Sequence, residues 1–244
     1  MKRHYVKTTN HNRFAAGVAA VENRGSPEAC ILLLTGAPGT GKSTTVDNWA
    51  SERDAIYLEG MPGMSIKFVR DYLADQTGVP QAAQFAMFKA MVAHFKRSGQ
   101  PIILDEAQHG LPNKAECIEY LRRIAEQAGV ILVLVCHTSE RFRFAEDRLA
   151  HIATRISDAP VLQPASVDDC SAYLGALCCV QVDAAVVQQV YQQSRGRYRL
   201  MANAGRTLEL IGAKVNKTVL TGDDVRAISL CEDAMKALKK GVSK

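Results

Sequence analysis

The sequence predicts an α/β fold, in which a parallel sheet is flanked by helices, followed by a small domain made only of helices. Two observations predict the first part: short apolar runs typical of strands buried on both faces, and segments with helical spacing between them. After Pro164 the apolar runs stop and only helix-like segments follow. We therefore expect a flexible basic segment over residues 1–12, an α/β domain over 13–164 and a helical domain over 165–244 with a basic tail.

The composition is that of a globular protein with a modest positive charge. Of 244 residues, 47% are hydrophobic, and 30 basic residues outnumber 25 acidic ones. The resulting net charge of +5 permits nucleic-acid binding without requiring it. The seven cysteines are scattered without a C-x-x-C pair, which indicates small core residues rather than zinc ligands or disulfides. Because no apolar run approaches a membrane span and no signal peptide is evident, we expect a cytoplasmic protein with no membrane contact.

The most specific feature is a glycine-rich loop at residues 36–43, G-A-P-G-T-G-K-S, between an apolar strand and a helix from Lys42 to about Arg53. Glycines let the backbone turn tightly and bring successive N–H groups toward phosphate oxygens. Lys42 would reach the β- and γ-phosphates, and the Ser43 hydroxyl would ligate Mg²⁺. The predicted phosphate-binding residues are Gly36, Ala37, Pro38, Gly39, Thr40, Gly41, Lys42, Ser43 and Thr44.

A second apolar strand, at residues 101–106, ends in two carboxylates. After a phosphate loop, such a pair supplies what phosphoryl chemistry still needs. Asp105 would hold Mg²⁺ through water, and Glu106 would orient and polarise the attacking water. These two acids are therefore predicted to be catalytic.

Polar side chains also follow the next apolar strand, at residues 130–136. Thr138 is the first candidate for a contact with the γ-phosphate or the attacking water, and His137 is the reserve. The alternative is that either residue simply forms the turn at the end of the strand.

Two arginines outside these strands are further candidates. Arg155 lies between a helix-like, arginine-rich segment at 140–156 and a short last strand at about 158–162. From there it would reach a neighbouring subunit's γ-phosphate, with Arg148 as the alternative, unless it is a surface cation. In the helical domain, G-R-Y-R begins a helix and would carry Arg199 toward the nucleotide if that domain folds back over the phosphate loop.

Basic residues on two predicted helices are candidates for contact with DNA. The helices span about 65–76 and 81–96, and the residues in or directly after them are Lys67, Arg70, Lys96 and Arg97. A solvated helix face explains these charges at least as well. The locally basic ends of the chain are either arms that touch phosphates or frayed termini.

Together these motifs resemble the AAA+ ATPases. The resemblance rests on G-A-P-G-T-G-K-S, I-I-L-D-E-A-Q-H, the polar strand end at His137-Thr138, Arg155 before a terminal strand, and G-R-Y-R in the helical tail. More narrowly, D-E-A-Q-H before a helix and V-C-H-T-S-E at a strand end look like the transposition ATPases. That branch contains the B protein of transposable phages such as Mu, its relatives TniB and TnsC, and the secretion ATPase ExeA. The resemblance covers about residues 12–235.

The resemblance implies an ATPase that uses ATP and Mg²⁺ and assembles into rings or helical filaments on duplex DNA, largely without sequence preference. The assembly would recruit and activate a transposase at the target. The matched residues are Lys42, Ser43 and Thr44 for phosphate and Mg²⁺, Asp105 and Glu106 as Walker B acids, Thr138 or His137 as first sensor, Arg155 as trans-acting arginine and Arg199 as second sensor. Unlike the phage Mu protein, this chain leaves no room for an N-terminal helix-turn-helix domain, so DNA contacts would come from the ATPase module or the basic termini.

Two rival functions stay open. A secretion or signalling ATPase of the ExeA kind would be expected to carry a transmembrane or peptidoglycan-binding extension, which this sequence lacks. A helicase-loader or initiator-like ATPase would act on replication proteins instead of a transposase. ATPase assays with and without duplex DNA would separate the DNA-linked functions from the secretion function.

Overall fold

A computed structural model describes residue 2 and residues 4–231, and its centre is a six-stranded parallel sheet. The helices are α1 Thr9–Glu22, α2 Lys42–Arg53, α3 Ile66–Thr77, α4 Gln84–Ser98, α5 Pro112–Ala128, α6 Ala150–Ala153, α7 Val167–Leu177, α8 Ala184–Ser194 and α9 Tyr198–Val215. The strands are β1 Ile31–Gly36, β2 Ile56–Glu59, β3 Ile102–Asp105, β4 Leu132–His137, β5 Ile156–Asp158, β6 Val161–Leu162, β7 Gln181–Val182 and β8 Val219–Leu220. Short 3₁₀ turns cover Ala107–Gly110, Thr138–Ala145 and Asp147–Leu149.

The sheet order is β2-β3-β4-β1-β5, with β6 pairing with the end of β1. Every pair is parallel, as predicted from the continuous apolar runs. In the register, Glu59 lies beside Asp105 and Gly36 beside His137. Gly36, where the glycine-rich loop begins, and the polar residues that end β2, β3 and β4 therefore collect at one edge of the sheet.

The sheet is buried on both faces because β1, β3 and β4 contribute side chains alternately to two hydrophobic clusters. In β1, Ile31 and Leu33 join the cluster beneath α3, α4 and α5, whereas Leu32 and Leu34 join the cluster formed with α1 and α2. This alternation explains why these strands are apolar at every position. The α/β fold, with helices on both faces of a mostly parallel sheet, is confirmed.

The described residues divide into two compact units. One comprises residues 13–37 and 42–162, and the other comprises the residues up to 12, residues 38–41 and those from 163 onward. In the second unit, α7, α8 and α9 pack around a buried cluster that includes Leu174, Val190 and Leu208. The domain boundaries drawn from the sequence remain a prediction, and residues 232–244, with the basic tail, lie outside the described residues.

The second unit is not made only of helices. Strands β7 and β8 form a small parallel pair, in which Gln181 lies beside Val219 and Val182 beside Leu220. Each strand is two residues long, so neither produces a pattern that the sequence can reveal. Ser166 and Asp169 form a capping box at the start of α7, whereas the similar pair Thr221 and Asp224 closes a turn instead of a helix.

The N-terminal segment is more ordered than expected. Helix α1 begins at Thr9, within the segment 1–12 that was expected to be flexible, because Thr9 and Asn10 find partners within the second unit. The backbone N–H of Lys2 also donates to the carbonyl of Leu177 at 2.8 Å. Residues 1 and 3 lie outside the described residues.

Two predictions near the last strand were wrong in detail. The segment 140–156, expected to be a helix, consists of 3₁₀ turns and the one-turn helix α6. The strand expected over 158–162 is divided into β5 and β6, since Pro160 between them has no N–H to donate. The seven cysteines, all among the described residues, are free thiols, and only Cys179 is exposed. None of the described helices has the length and apolarity needed to cross a membrane.

Candidate nucleotide-binding site

Lys42 is the first residue of α2 and is held against the start of the glycine-rich loop. Its Nζ donates to the carbonyl oxygens of Gly36 at 2.8 Å and Ala37 at 3.3 Å. Only 9% of the residue is exposed. Burial lowers the pKa of Lys42, and the nearby Asp105 and Glu106 oppose that shift. A buried cation whose partners are mainly neutral carbonyls is well suited to bind an anion.

The tip of the loop, residues 38–41, belongs to the second unit. Gly39 and Gly41 have positive φ angles of +83° and +84°, which side chains with a Cβ rarely adopt. The side chain of Arg197 and the ring of Tyr198 lie directly against these glycines, and the Tyr198 N–H donates to the Gly39 carbonyl at 2.9 Å. Of the G-R-Y-R motif, Arg197 and Tyr198 therefore contact the loop tip, whereas Arg199 is exposed in the first turn of α9.

The carboxylate of Asp105, at the end of β3, accepts hydrogen bonds from three other residues. Ser43 Oγ and Tyr57 Oη donate to its Oδ2 at 2.9 Å and 2.6 Å, and the Glu106 N–H donates to its Oδ1 at 2.8 Å. The sequence predicted the meeting of Ser43 and Asp105 but not the contribution of Tyr57. Burial raises the pKa of Tyr57, and its hydrogen bond to Asp105 raises it further, so the phenol stays protonated and remains a donor.

The oxygens of Ser43 and Asp105 suit a magnesium ion. A hydroxyl and a carboxylate are hard oxygen ligands, and Mg²⁺ in phosphate sites uses one or two carboxylates together with substrate phosphates. Here Ser43 Oγ and Asp105 Oδ2 are 2.9 Å apart and part-buried, beside the buried Lys42. These two residues would hold the ion. The described residues contain no cluster of three or more His, Cys, Asp or Glu for a metal held by protein alone.

Glu106 leaves β3 in an unusual backbone conformation. Its φ of +50° and ψ of 42° place it in the left-handed region, which is uncommon for residues other than glycine. Its carboxylate accepts a short hydrogen bond from Gln108 Nε2, and His137 Nε2 lies 3.9 Å from Glu106 Oε2. The structure therefore brings the reserve candidate His137 to the acid. Thr138, the first candidate, is exposed and lines a separate apolar cavity with Leu33 and Phe144.

Gly60 is a second residue that the sequence analysis missed. It follows β2, and its N–H donates to the Asp105 carbonyl at 2.8 Å. A Cβ at this position would lie 2.6 Å from the Glu106 carbonyl oxygen, closer than real contacts allow. The signal was a glycine just after a strand, but only the pairing of β2 with β3 reveals its neighbour.

Arg155 lies at the opposite edge of the sheet from the loop. Its carbonyl accepts the N–H of Ile31, the first residue of β1, whereas the glycine-rich loop follows the last residue of that strand. The guanidinium pairs with Glu28 at 3.1 Å and contacts the Thr154 hydroxyl. The alternative, Arg148, is exposed and pairs with Glu146. Neither arginine pairs with Asp105 or Glu106 of its own chain.

The four candidate DNA contacts fall into two pairs with different surroundings. Lys67 and Arg70, on α3, both pair with Asp71, at 2.5 Å and 3.4 Å. Lys96 and Arg97 are exposed in the last turn of α4 and have no ion pair among the described residues. Only the second pair therefore offers unneutralised charge.

Comparison with known proteins finds a family match within the α/β part of the chain. Residues 27–144 match the family model described as an AAA domain, and this segment contains the glycine-rich loop and both acids. No curated protein matches the chain.

Several solved structures share the fold over almost the whole chain. The Aeropyrum pernix ORC2 protein, in its ADPNP–ADP complexes, has a TM-score of 0.69 at 16% identity, covering 98% of this chain and 73% of that chain. Cdc6p from Pyrobaculum aerophilum has a TM-score of 0.62 at 15% identity, with 92% and 68% covered. The Thermotoga maritima RuvB Holliday junction branch migration motor has a TM-score of 0.61 at 18% identity, with 98% and 76% covered. Residues 27–144 therefore resemble an AAA domain, and nearly the whole chain shares its fold with the ORC2, Cdc6p and RuvB structures.

Proposed function

We propose that this protein is a Mg²⁺-dependent ATPase that assembles on duplex DNA and recruits a transposase to it. The observation that carries the ATPase part is the contact between Ser43 and Asp105 at the end of a glycine-rich loop, with Glu106 directly beyond. These groups match the requirements of phosphoryl transfer, which depends mainly on positioning and charge stabilisation.

Each residue at this edge has a role in the proposed reaction. Lys42 exchanges its loop carbonyl partners for phosphate oxygens and neutralises their charge. Glu106 accepts a proton from the attacking water, and Gln108 holds its carboxylate, with His137 Nε2 3.9 Å away. Bound Mg²⁺ would neutralise charge on the β- and γ-phosphates. Ser43 and Asp105 would hold the ion, and the hydrogen bond from Tyr57 keeps the Asp105 carboxylate in place.

A second copy of the chain supplies the remaining positive charge in this proposal. Arg155 lies at the amino edge of the sheet, so it serves a neighbour's γ-phosphate rather than its own. ATP then stabilises the contact between copies, and hydrolysis weakens it. Arg199, exposed in the first turn of α9, would act as the second sensor.

The proposed binding to duplex DNA rests on different observations. RuvB is a Holliday junction branch migration motor, and nearly the whole chain shares its fold. Lys96 and Arg97 carry charge without an ion-pair partner among the described residues, so they are preferred over Lys67 and Arg70 as phosphate contacts. An assembly would multiply such weak contacts along the duplex. The transposase as partner rests on the resemblance of the D-E-A-Q-H and V-C-H-T-S-E motifs to transposition ATPases.

One rival is favoured by a specific observation. The fold extends over 98% of this chain in the ORC2 comparison and 92% in the Cdc6p comparison, so an initiator-like or helicase-loading ATPase is the second candidate. It would share the ATP chemistry and differ in the protein that it recruits.

Steady-state ATPase assays with and without duplex DNA, followed by electron microscopy of the same samples, test the proposal. We expect DNA to stimulate turnover and ATP to produce filaments or rings on DNA. Raising the salt concentration should weaken binding steeply, because phosphate contacts release counterions. Turnover indifferent to DNA would favour the secretion alternative, and absence of nucleotide binding would refute the ATPase itself.

A further inference from the structure

Two carbonyl groups at the tip of the glycine-rich loop are held by donors that lie far away in the sequence. The carbonyl of Gly39 accepts the N–H of Tyr198 at 2.9 Å. The carbonyl of Thr40 accepts Nδ2 of Asn10 at 3.0 Å. All four residues belong to the same compact unit, and Asn10, unlike Tyr198 of the G-R-Y-R motif, lies outside every predicted nucleotide-binding motif.

These hydrogen bonds determine the direction of the loop's own N–H groups. In a trans peptide the C=O and N–H bonds are nearly antiparallel and lie in one plane. Holding the Gly39 carbonyl therefore points the Thr40 N–H the opposite way, and holding the Thr40 carbonyl does the same for the Gly41 N–H. Backbone N–H groups that all point to one side form the concave surface that binds anions.

The Asn10 side chain is itself held in a fixed orientation. It is 2% exposed, its Oδ1 accepts the Gln163 N–H at 3.0 Å, and its Nδ2 donates to the Gln163 carbonyl at 2.7 Å as well as to Thr40. Exchanging the two ends of the amide would put a donor against an N–H and an acceptor against two carbonyls. The network therefore allows only one orientation, with the NH₂ group toward the loop.

We propose that Asn10 is a positioning residue for phosphate binding, which presets the Gly41 N–H for the nucleotide through the Thr40 carbonyl. The proposal rests on the ATP-binding function proposed above. It predicts that nucleotide affinity depends on a buried amide in α1, outside the loop, the Walker acids and the arginines. Because preorganisation lowers the cost of binding, removal of the amide weakens affinity without removing a direct contact.

The test compares Asn10→Leu, which removes the amide without adding charge, with Asn12→Leu, the same change at an exposed position of the same helix. We expect Asn10→Leu to raise the Kd of both ADP and ATP on the order of tenfold, as for loss of one preorganising hydrogen bond. The kcat at saturating ATP should stay close to that of the wild type, because Asn10 does not touch the reacting groups. If Asn10→Leu does not fold, Asn10→Ala replaces it, because alanine also removes the amide and introduces a smaller side chain than leucine.

Asp169→Asn separates positioning from general stability. Asp169 Oδ1 accepts the Thr9 N–H at 2.8 Å and the Thr9 hydroxyl at 3.1 Å, so it fastens the same segment without touching the loop. We expect this variant to lower the Tm and leave the nucleotide Kd unchanged. The proposal is overturned if folded Asn10 variants bind nucleotide like the wild type, or if Asp169→Asn loses affinity equally. Failure of the wild-type protein to bind nucleotide would instead refute the proposed function.

Discussion

The two edges of the parallel sheet carry different groups of the proposed chemistry: acids at one edge and an arginine at the other. At the carboxyl edge, Ser43, Asp105 and Glu106 form a connected polar cluster. At the amino edge, Arg155 is paired with Glu28 and stays apart from that cluster. The six residues of β1 separate the two edges, a distance of roughly 20 Å for an extended strand. In the proposed chemistry the acids therefore act within one chain, and the arginine acts on a neighbouring copy.

The largest effect is expected at the residue that binds the anion. Lys42→Ala should abolish nucleotide binding, since it removes a buried cation beside the loop. Binding of a fluorescent ATP analogue, measured by anisotropy, checks this. The matched control is Lys89→Ala, an exposed lysine that lies over Phe85. Normal ATP affinity in the folded Lys42→Ala protein would place the phosphate elsewhere.

The next largest effect is expected on hydrolysis at the carboxyl edge, without a change in ATP binding. Glu106→Gln keeps the shape and removes the base, so kcat should fall by about 10² or more while ATP affinity remains. Single-turnover hydrolysis and equilibrium binding measure the two quantities separately. Glu116→Gln, at an exposed position of α5, is the control. Wild-type hydrolysis by Glu106→Gln would refute its role as base.

The amino edge is tested by Arg155→Ala. We expect kcat to fall on the order of a hundredfold, as for loss of an arginine that acts in trans, while ATP binding to the single chain persists. Assembly, followed by light scattering with ATP, should weaken as well. The same assays on Arg148→Ala distinguish the two candidates, because only the trans arginine should show the combined loss. If both variants behave like the wild type, neither arginine reaches a neighbour.

The smallest effect is expected at Tyr57. Tyr57→Phe removes the hydroxyl that donates to Asp105 and retains the ring. Because Ser43 and the Glu106 N–H still hold the carboxylate, we expect only a severalfold rise in the Mg²⁺ concentration needed for half-maximal ATPase activity. Magnesium titrations at saturating ATP measure this. The control is Tyr72→Phe, whose hydroxyl donates to the Tyr57 carbonyl and not to Asp105. An unchanged magnesium requirement would assign Tyr57 a packing role only.

Local sequence patterns predicted much of the α/β fold and of the candidate nucleotide-binding site. The glycine-rich loop, the strand ending at Asp105 and the helix beginning at Lys42 follow from glycine spacing and apolar runs, which are local signals. Tyr57 and Gly60 were missed because their importance comes from the pairing of β2 with β3, a contact between distant parts of the sequence.

Contacts between distant parts of the sequence also explain why the residues of the second unit that touch the loop were not predicted correctly. The motif G-R-Y-R indicated an arginine near the nucleotide, but spacing alone did not show that Arg197 and Tyr198, rather than Arg199, contact the loop tip. Asn10 lies in a segment expected to be flexible, and only its partners at Thr40 and Gln163 reveal that it is buried. Two-residue strands such as β7 and β8 carry too few residues for a period to be recognised.

The most direct test of a site shared between two copies is to mix two inactive variants. Arg155→Ala retains Glu106, and Glu106→Gln retains Arg155, so about a quarter of randomly mixed head-to-tail boundaries would hold every group. The ATPase activity of an equimolar mixture should therefore rise well above the sum of the separate variants. A mixture no more active than that sum would contradict the shared site and leave only a nucleotide pocket within one chain.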